Sequence, residues 1–178
     1  MANSTQLNEI LPDVLDFGLV LLFCGTAASD VSARAGAYYA NPSNAFWRAL
    51  WETGITPRRY QPSEYRALLN LRIGLTDVAK CAAGVDSQLH HSDFQPDQLS
   101  QKIAHYQPQI VAFTSKTAWR AWNRLPADSS IAYGWQQTGL EGTRFFVLPS
   151  PSGAARRFWS IDPWQRLADE YARRIASL

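Results

Sequence analysis

Asp77 is the only acid in the apolar run Ile73-Gly74-Leu75-Thr76-Asp77-Val78. A carboxylate at the predicted end of a buried strand can orient or deprotonate a water, or stabilise a cation that develops beside it. The same spacing also fits a helix cap or a salt bridge to Lys80, so the residue types alone leave Asp77 open between these roles. A second stretch, Cys24-Gly25-Thr26-Ala27-Ala28-Ser29, carries almost no side-chain bulk after its cysteine. Such a loop lets a ligand lie against backbone N–H groups, although a tight turn without a ligand fits it equally well. It lacks G-x-G-x-x-G and a P-loop lysine, which argues against a dinucleotide or nucleoside triphosphate site. A third stretch, Pro149-Ser150-Pro151-Ser152-Gly153, is not the G-x-S-x-G elbow of a serine hydrolase. His90 and His91 sit in a polar stretch with no nucleophile paired to them. Cys24 and Cys81 are too few for a four-thiolate cluster or a cysteine-rich zinc site. No metal and no cofactor are expected.

The elements that must position these residues alternate in type. Val20–Phe23 is a continuous apolar run, as expected of a strand covered on both faces of a parallel sheet. Its carboxyl end would deliver the Gly25–Ser29 loop to the edge where open α/β sheets place their sites. Arg34–Asn41 reads as a long irregular connection, of a length often functional. Asn41-Pro42-Ser43 marks a helix start, followed by the stripe Phe46, Trp47, Leu50 and Trp51 and closed at Gly54. Pro62 opens a second helix through Leu69, with Glu64 favourable to its dipole. Ile73–Val78 is a short buried strand, and Ala82–Phe94 a loop. Pro96–Tyr106 is a helix, Ile110–Thr114 a parallel strand, Lys116–Trp122 a helix, Arg144–Leu148 the last strand and Pro163–Ile175 an amphipathic helix. This alternation predicts a three-layer α/β/α sandwich around a central, mainly parallel four-stranded sheet, with residues 1–178 forming one domain. Three strand ends then converge on one edge: the Gly25–Ser29 loop, Asp77, and the Ser150–Arg157 loop.

Composition sets the outer bounds. The chain has 178 residues, 46% of them hydrophobic, enough for a sizeable core. Net charge is only +2, so the surface is not uniformly basic. Basic residues nonetheless occur as the doublets Arg58-Arg59, Arg156-Arg157 and Arg173-Arg174. Such doublets are usually solvated, and one beside a cleft would be of interest. Residues 1–10 are mostly polar and read as flexible. No signal peptide or membrane span is visible, and two cysteines fit reduced thiols in a cytoplasmic protein.

Several stretches together resemble one family. Cys24-Gly25-Thr26-Ala27-Ala28-Ser29 resembles the Cys-Gly-Ile-Asn-Pro-Gly loop of the mismatch-specific uracil/thymine-DNA glycosylases. Asn41-Pro42-Ser43-Asn44-Ala45-Phe46-Trp47 resembles their H-P-A-N-R-F-W, at the same distance from the first loop. Gly74-Leu75-Thr76-Asp77 is similar to G-V-T-K, and Leu148–Arg156 to L-P-N-P-S-G-L-S-R. Asp13-Val14-Leu15 to Gly18-Leu19 is similar to the family's amino terminus. The matches are collinear over nearly the whole chain. They imply the uracil-DNA glycosylase fold, base flipping, and hydrolysis of an N-glycosidic bond without a metal.

Where the chain departs from the family, roles must move. The family's first-loop Asn holds the attacking water, and its counterpart here is Ala27, which can hold nothing. The family's Lys after the Thr is here Asp77, so the resemblance implies relocation of the catalytic group to Asp77. Gly25, Thr26 and Ala27 would hold the base through their backbone. Tyr39 matches the Phe that stacks on the flipped pyrimidine, and Ser150 replaces an Asn. Ser152, Gly153, Ala154, Ala155, Arg156 and Arg157 match the loop that enters the minor groove, and Lys116 is counted with them as DNA-binding. The family's wedge is a Leu; here Ala154 is followed by Ala155, so single-stranded substrates should fare about as well as G·U duplexes, unless Phe158 or Trp159 supplies the volume. The expected partner is uracil-containing DNA, double- or single-stranded, met by a monomer in the bacterial cytoplasm or nucleoid, away from membranes. Two rival readings are a catalytically inactive DNA-damage binder of the same fold and a small-molecule nucleoside- or nucleotide-binding protein.

Overall fold

The computed structural model describes residues 8–140 and 142–178. Five strands, β1 (Leu21–Ala28), β2 (Ile73–Ala83), β3 (Ile110–Phe113), β4 (Gly134–Leu140) and β5 (Thr143–Val147), form one sheet in the order β2-β1-β3-β5-β4. The first three and β5 are parallel to one another, as their apolar runs predict. The expected count of four is corrected by β4, which runs antiparallel to β5 with an irregularity between Trp135 and Gly139. Its sequence, Gly-Trp-Gln-Gln-Thr-Gly-Leu, is polar and largely exposed. An edge strand of this kind shows neither the continuous apolar run nor the clean alternation by which strands are recognised.

The pleat sends alternate side chains of β1 into two cores. Leu21 and Phe23 join Leu75, Ala112 and Phe146 on one face. That face is covered by α2 (Phe46–Glu52) and α5 (Asp162–Ala176), through Phe46, Leu50, Trp164 and Leu167. Leu22 and Cys24 join Val111, Phe113 and Val147 on the other face. There α3 (Pro96–Tyr106) contributes Leu99 and Ile103, and α4 (Lys116–Asn123) contributes Ala118 and Trp119. The result is the expected three-layer arrangement. Burial raises the Cys24 thiol well above its usual range and leaves it an inert core residue.

Several expected boundaries shift. The small residues after Cys24 do not form a loop: β1 continues to Ala28, and Gly25 and Ala27 stay in ladder with Asp77 and Ala79 of β2. Likewise β2 runs on to Ala83, so Asp77 is mid-strand rather than at a strand end. The connection at Arg34 contains a six-residue helix, α1 (Asp30–Ala35), capped by the Ser29 hydroxyl and ended by Gly36 at φ 63°. Asn41-Pro42-Ser43 forms a turn instead of a helix start, with Asn41 Oδ1 accepting from Ser43 N and Oγ. Pro62–Leu71 is a 3-10 helix.

The flexible amino terminus is corrected in part. Residues 1–7 lie outside the described residues, but Ile10 N donates to Lys80 O at 2.8 Å and Glu9 reaches Lys102 at 3.4 Å. Val14 and Leu75 exchange backbone hydrogen bonds of 2.9 Å. The stretch from Ile10 to Val14 thus lies antiparallel along the outer edge of β2. Among the described residues no helix is long and apolar enough to cross a membrane.

Candidate functional site

The site forms where β1 outlasts β3. The β1–β3 ladder ends at Cys24 opposite Phe113, with Thr114 N donating to Cys24 O, and α4 begins just beyond. Strand alternation turns the backbone of Thr26 to the same side as that of Cys24, past the end of the ladder. Its side chain takes the face opposite to Gly25, where its hydroxyl lies 3.1 Å from Ser115 Oγ. Thr26 can therefore serve a ligand on the Gly25 face only through its main chain.

Gly25 and Asp77 are paired Cα to Cα across β1 and β2. Parallel neighbours in register project side chains from the same face. A Cβ on Gly25 would fall on Asp77 Oδ1, and it would lie 3.2 Å from the Tyr39 hydroxyl. The glycine is what lets the carboxylate lie inward over β1. Ala27 shares that face, two residues further along. Phe23 precedes Gly25 there, with Phe46 packed edge-on against it at 5.1 Å. Tyr39 stacks on Phe46 with ring centroids 3.8 Å apart and planes 16° apart. It does so from a left-handed backbone at φ 53°, a conformation that costs a non-glycine residue about 1 kcal/mol or more. The next residue holds it there: Ala40 N donates to the buried hydroxyl of Ser32 at 3.0 Å. The Tyr39 hydroxyl lies 3.3 Å from Thr114 Oγ1. Burial, reinforced by Asp77, keeps this phenol well above its usual range and hence neutral.

Both alternative roles for Asp77 lapse here. Mid-strand, it caps no helix. Lys80 Nζ is engaged elsewhere, 2.9 Å from Asp13 Oδ1 and donating to the Tyr38 hydroxyl at 2.9 Å. Lys102 closes the other oxygen of Asp13 at 2.5 Å, and the Thr76 hydroxyl donates to Asp13 at 2.7 Å. Burial alone would raise Asp13, but Lys80, Lys102 and Thr76 outweigh it and hold that carboxyl below its usual range. Asp77, only 6% exposed, takes part in none of the ion pairs of the described residues. Burial pushes its pKa up to about 6, with Lys80 opposing and Asp13 adding to the rise. A carboxyl poised near neutrality, without a fixed partner, is suited to exchange a proton.

The second part of the site is a cleft of about 280 Å³ between the turn before α2 and the loop after β5. Ala45 N donates to Pro151 O at 2.8 Å, tying the two segments. Gly153 packs so closely on Ser43 that a Cβ would collide with its hydroxyl. Ser152 caps the 3-10 segment Gly153–Phe158 by accepting from Ala154 N at 3.3 Å. Among the predicted site residues, Ser152, Gly153 and Arg156 line this cleft, joined by Trp159, one of the two candidates for wedge volume, by Arg59 of the first arginine doublet, and by Asn44 and Arg48, to which the sequence assigned no role. Ser150 is turned into the loop, accepting from Ser152 N at 3.3 Å. Ala154 is exposed and Ala155 half-buried on the 3-10 segment. Arg157 lies over the Phe158 ring at 4.7 Å. Lys116 stands at the start of α4 with its ammonium 4.3 Å from the Tyr133 ring centroid, on the Thr26 side and away from the cleft lining. Among the described residues no three His, Cys, Asp or Glu side chains are grouped as metal ligands.

The sequence pattern that defines the Uracil DNA glycosylase superfamily matches residues 12–168. Among solved structures, the solution NMR structure of a provisionally assigned uracil DNA glycosylase from Methanosarcina acetivorans superposes with a TM-score of 0.64. The two chains are 26% identical, and the match covers 91% of this chain and 96% of the other.

Proposed function

Because the chain belongs to the Uracil DNA glycosylase superfamily, we propose that it flips uracil out of DNA and hydrolyses the bond between uracil N1 and the deoxyribose C1′. Asp77 is the catalytic group in this reading. The observation that carries it is the inward-lying carboxylate over Gly25, in no ion pair among the described residues and held near neutrality, on the face where Ala27 offers no polar group. The finer likeness, to the mismatch-specific uracil/thymine enzymes, rests on the loop and turn motifs around Gly25, Asn41 and Ser152.

The chemistry balances with few parts. The N1–C1′ bond breaks and its electron pair leaves with uracil, giving an anion and an oxocarbenium-like sugar. The ionised Asp77 stabilises that cation and takes a proton from the water whose oxygen bonds C1′. The proton then passes to solvent or to the departing base, and the products are free uracil and an abasic site. Tyr39, with one face on Phe46, offers the other to the base, and the Thr26 and Tyr39 N–H groups suit its carbonyl oxygens. Ser152 to Arg157 and Lys116 face the DNA, with Arg156 on a phosphate.

The test is strand cleavage by alkali after incubation with uracil-containing duplex and single-stranded DNA. Asp77→Ala should lower excision by about 100-fold or more, the scale of a positioned acid–base group, with folding and DNA affinity kept. Near-normal turnover of that variant would remove Asp77 from the mechanism. Wild-type protein that binds the DNA and releases no base would favour a damage binder without catalysis.

A further inference from the structure

The three arginine doublets do not behave as pairs. In the first, Arg58 makes a two-pronged bond to Glu64 and lies over the Tyr60 ring at 4.4 Å, while Arg59 lines the cleft. In the second, Arg157 covers Phe158 and Arg156 lines the same cleft. In the third, both arginines bind Glu170, far along α5. Arg48, in the first turn of α2, completes the cleft with only an exposed contact to Glu52 at 3.5 Å. Three arginines from three separate segments therefore line one depression, and none of the described residues that line it is acidic.

The walls between them are already fixed. The Ala45–Pro151 backbone bond and the Ser43–Gly153 contact hold the two sides together before any ligand arrives. The Ser43 hydroxyl donates to Asn41, so it serves as wall. The Ser152 hydroxyl accepts from Ala154 N and keeps its own proton to donate. Planar guanidinium forks with a hydroxyl donor match the oxygens of a phosphodiester, and the one carboxylate that reaches any of the three, Glu52 on Arg48, does so only through a solvent-exposed contact.

We propose that Arg48, Arg59 and Arg156, with the Ser152 hydroxyl, clamp the phosphate backbone of the strand that carries the target nucleotide. This assigns Arg48 and Arg59 to substrate binding and rests on the glycosylase reading above. The clamp makes no contact with base edges, so it adds affinity without adding sequence preference. Its wall residues Asn44 and Ala45 directly precede Phe46, the ring on which Tyr39 stacks, so it holds the strand beside the place where the nucleotide turns inward.

The experiment measures binding of wild-type protein and of Arg59→Ala, Arg48→Ala and the double variant to a uracil-containing duplex across a range of salt concentrations. Each lost phosphate contact should flatten the slope of log K against log salt by about 0.9, so the double variant should lose about twice that. Arg59→Lys should restore most of the slope. Excision at saturating DNA, measured in a single turnover, should fall by a smaller factor than the affinity does, since neither arginine touches the reacting atoms. A scan replacing single phosphates by neutral methylphosphonates should weaken wild-type binding at one or two positions beside the uracil. At those positions Arg59→Ala should lose nothing further, as a double-mutant cycle requires. An unchanged salt slope in the double variant, or full additivity at every methylphosphonate, would overturn the clamp. Wild-type protein that neither binds DNA nor releases base would instead overturn the glycosylase reading.

Discussion

Around Gly25 side chains are missing so that one acid can lie against the sheet, whereas in the 3-10 segment after β5 the side chains of Ala154, Arg156, Arg157 and Phe158 are exposed to solvent. The first region is enclosed. Gly25, Ala27 and the covering Tyr39 leave a narrow space in which a carboxylate titrates near neutrality. The second is open, with Arg48, Arg59 and Arg156 all exposed and the backbone of its loop tied down by Ala45 and Ser43. Low dielectric strengthens the one charge in the first region, and screening weakens the several charges in the second. Substitutions in the enclosed region should therefore act on rate, pH dependence and folding together. Those at the charged groups of the open region should act on affinity and salt dependence.

The sharpest way to break this contrast is Gly25→Ala. Its methyl collides with the Asp77 carboxylate, so excision should drop by about 100-fold or more as the acid is displaced, and stability should fall by about 1–3 kcal/mol from overpacking. In an Asp77→Ala background the same methyl should cost far less, a coupling that a denaturation cycle measures directly. Equal costs in the two backgrounds would mean that the glycine serves something other than the acid.

The next effect is on pH. Excision should rise about tenfold per pH unit below 6 and level off above it, because the ionised carboxylate is the active form. Stability should run the other way. The unfolded chain ionises Asp77 near 3.8 and the folded chain near 6, so between these values the folded state binds the extra proton and loses stability as pH rises. The full difference is about 3 kcal/mol above pH 6, and Asp77→Asn should recover it, on the order of 3 kcal/mol in urea unfolding at pH 7.5. If that variant proves less stable than wild type at pH 7.5, the carboxylate has a partner that offsets its burial.

A smaller effect belongs to Tyr39. On the non-cleaving Asp77→Asn protein, Tyr39→Ala should weaken binding of uracil-containing duplex by roughly 5- to 150-fold, the range of a base–aromatic stack. Tyr39→Phe keeps the ring and should stay within about twofold. A large loss from the Phe variant would transfer the role from the ring to the hydroxyl that meets Thr114. The smallest effect lies in the open region. Ala154 brings only a methyl to the stack, and Trp159 is packed on Trp164 at 5.6 Å, which leaves Phe158, 56% exposed, as the one large apolar group on that segment. Single-stranded and G·U substrates should be processed within about tenfold of each other. Phe158→Ala should lower the duplex rate only, by roughly threefold. A preference for G·U above about 100-fold that survives Phe158→Ala would place the wedge elsewhere.

The parallel strands and the long helices were readable because apolar runs and 3.6-residue stripes report burial, as in Ile110–Phe113 and Trp164-Leu167-Ala168-Tyr171. Strand ends were not. Gly25, Thr26, Ala27 and Ala28 have the composition of a loop, yet they stay in the ladder because a small residue also lets a neighbour lean over it. The reason for Gly25 lies in Asp77, 52 positions away in sequence, and only the register shows it. Similarly, Lys80 is near Asp77 in sequence and pairs with Asp13 in space. The tight motifs located the loop after β5, while Arg48 carried no motif and Arg59 only a doublet, and the cleft they share became visible only when three segments met. The polar edge strand β4 left no periodic trace at all.

The strip from Ile10 to Val14 along β2 has a consequence for crowding. An open sheet presents two rims, and a straight rim invites a second copy to add its own strands. One rim here is sealed by this strip, riveted through Asp13 to Lys80 and Lys102. The other is bent where β4 falls out of step with β5 between Trp135 and Gly139. Many copies gathered side by side along one polymer would meet without a template for joining sheet to sheet. Acid that protonates Asp13 would weaken its bonds to the two ammonium groups and leave the strip held chiefly by its backbone hydrogen bonds to β2, so this rim would open before the sheet itself does.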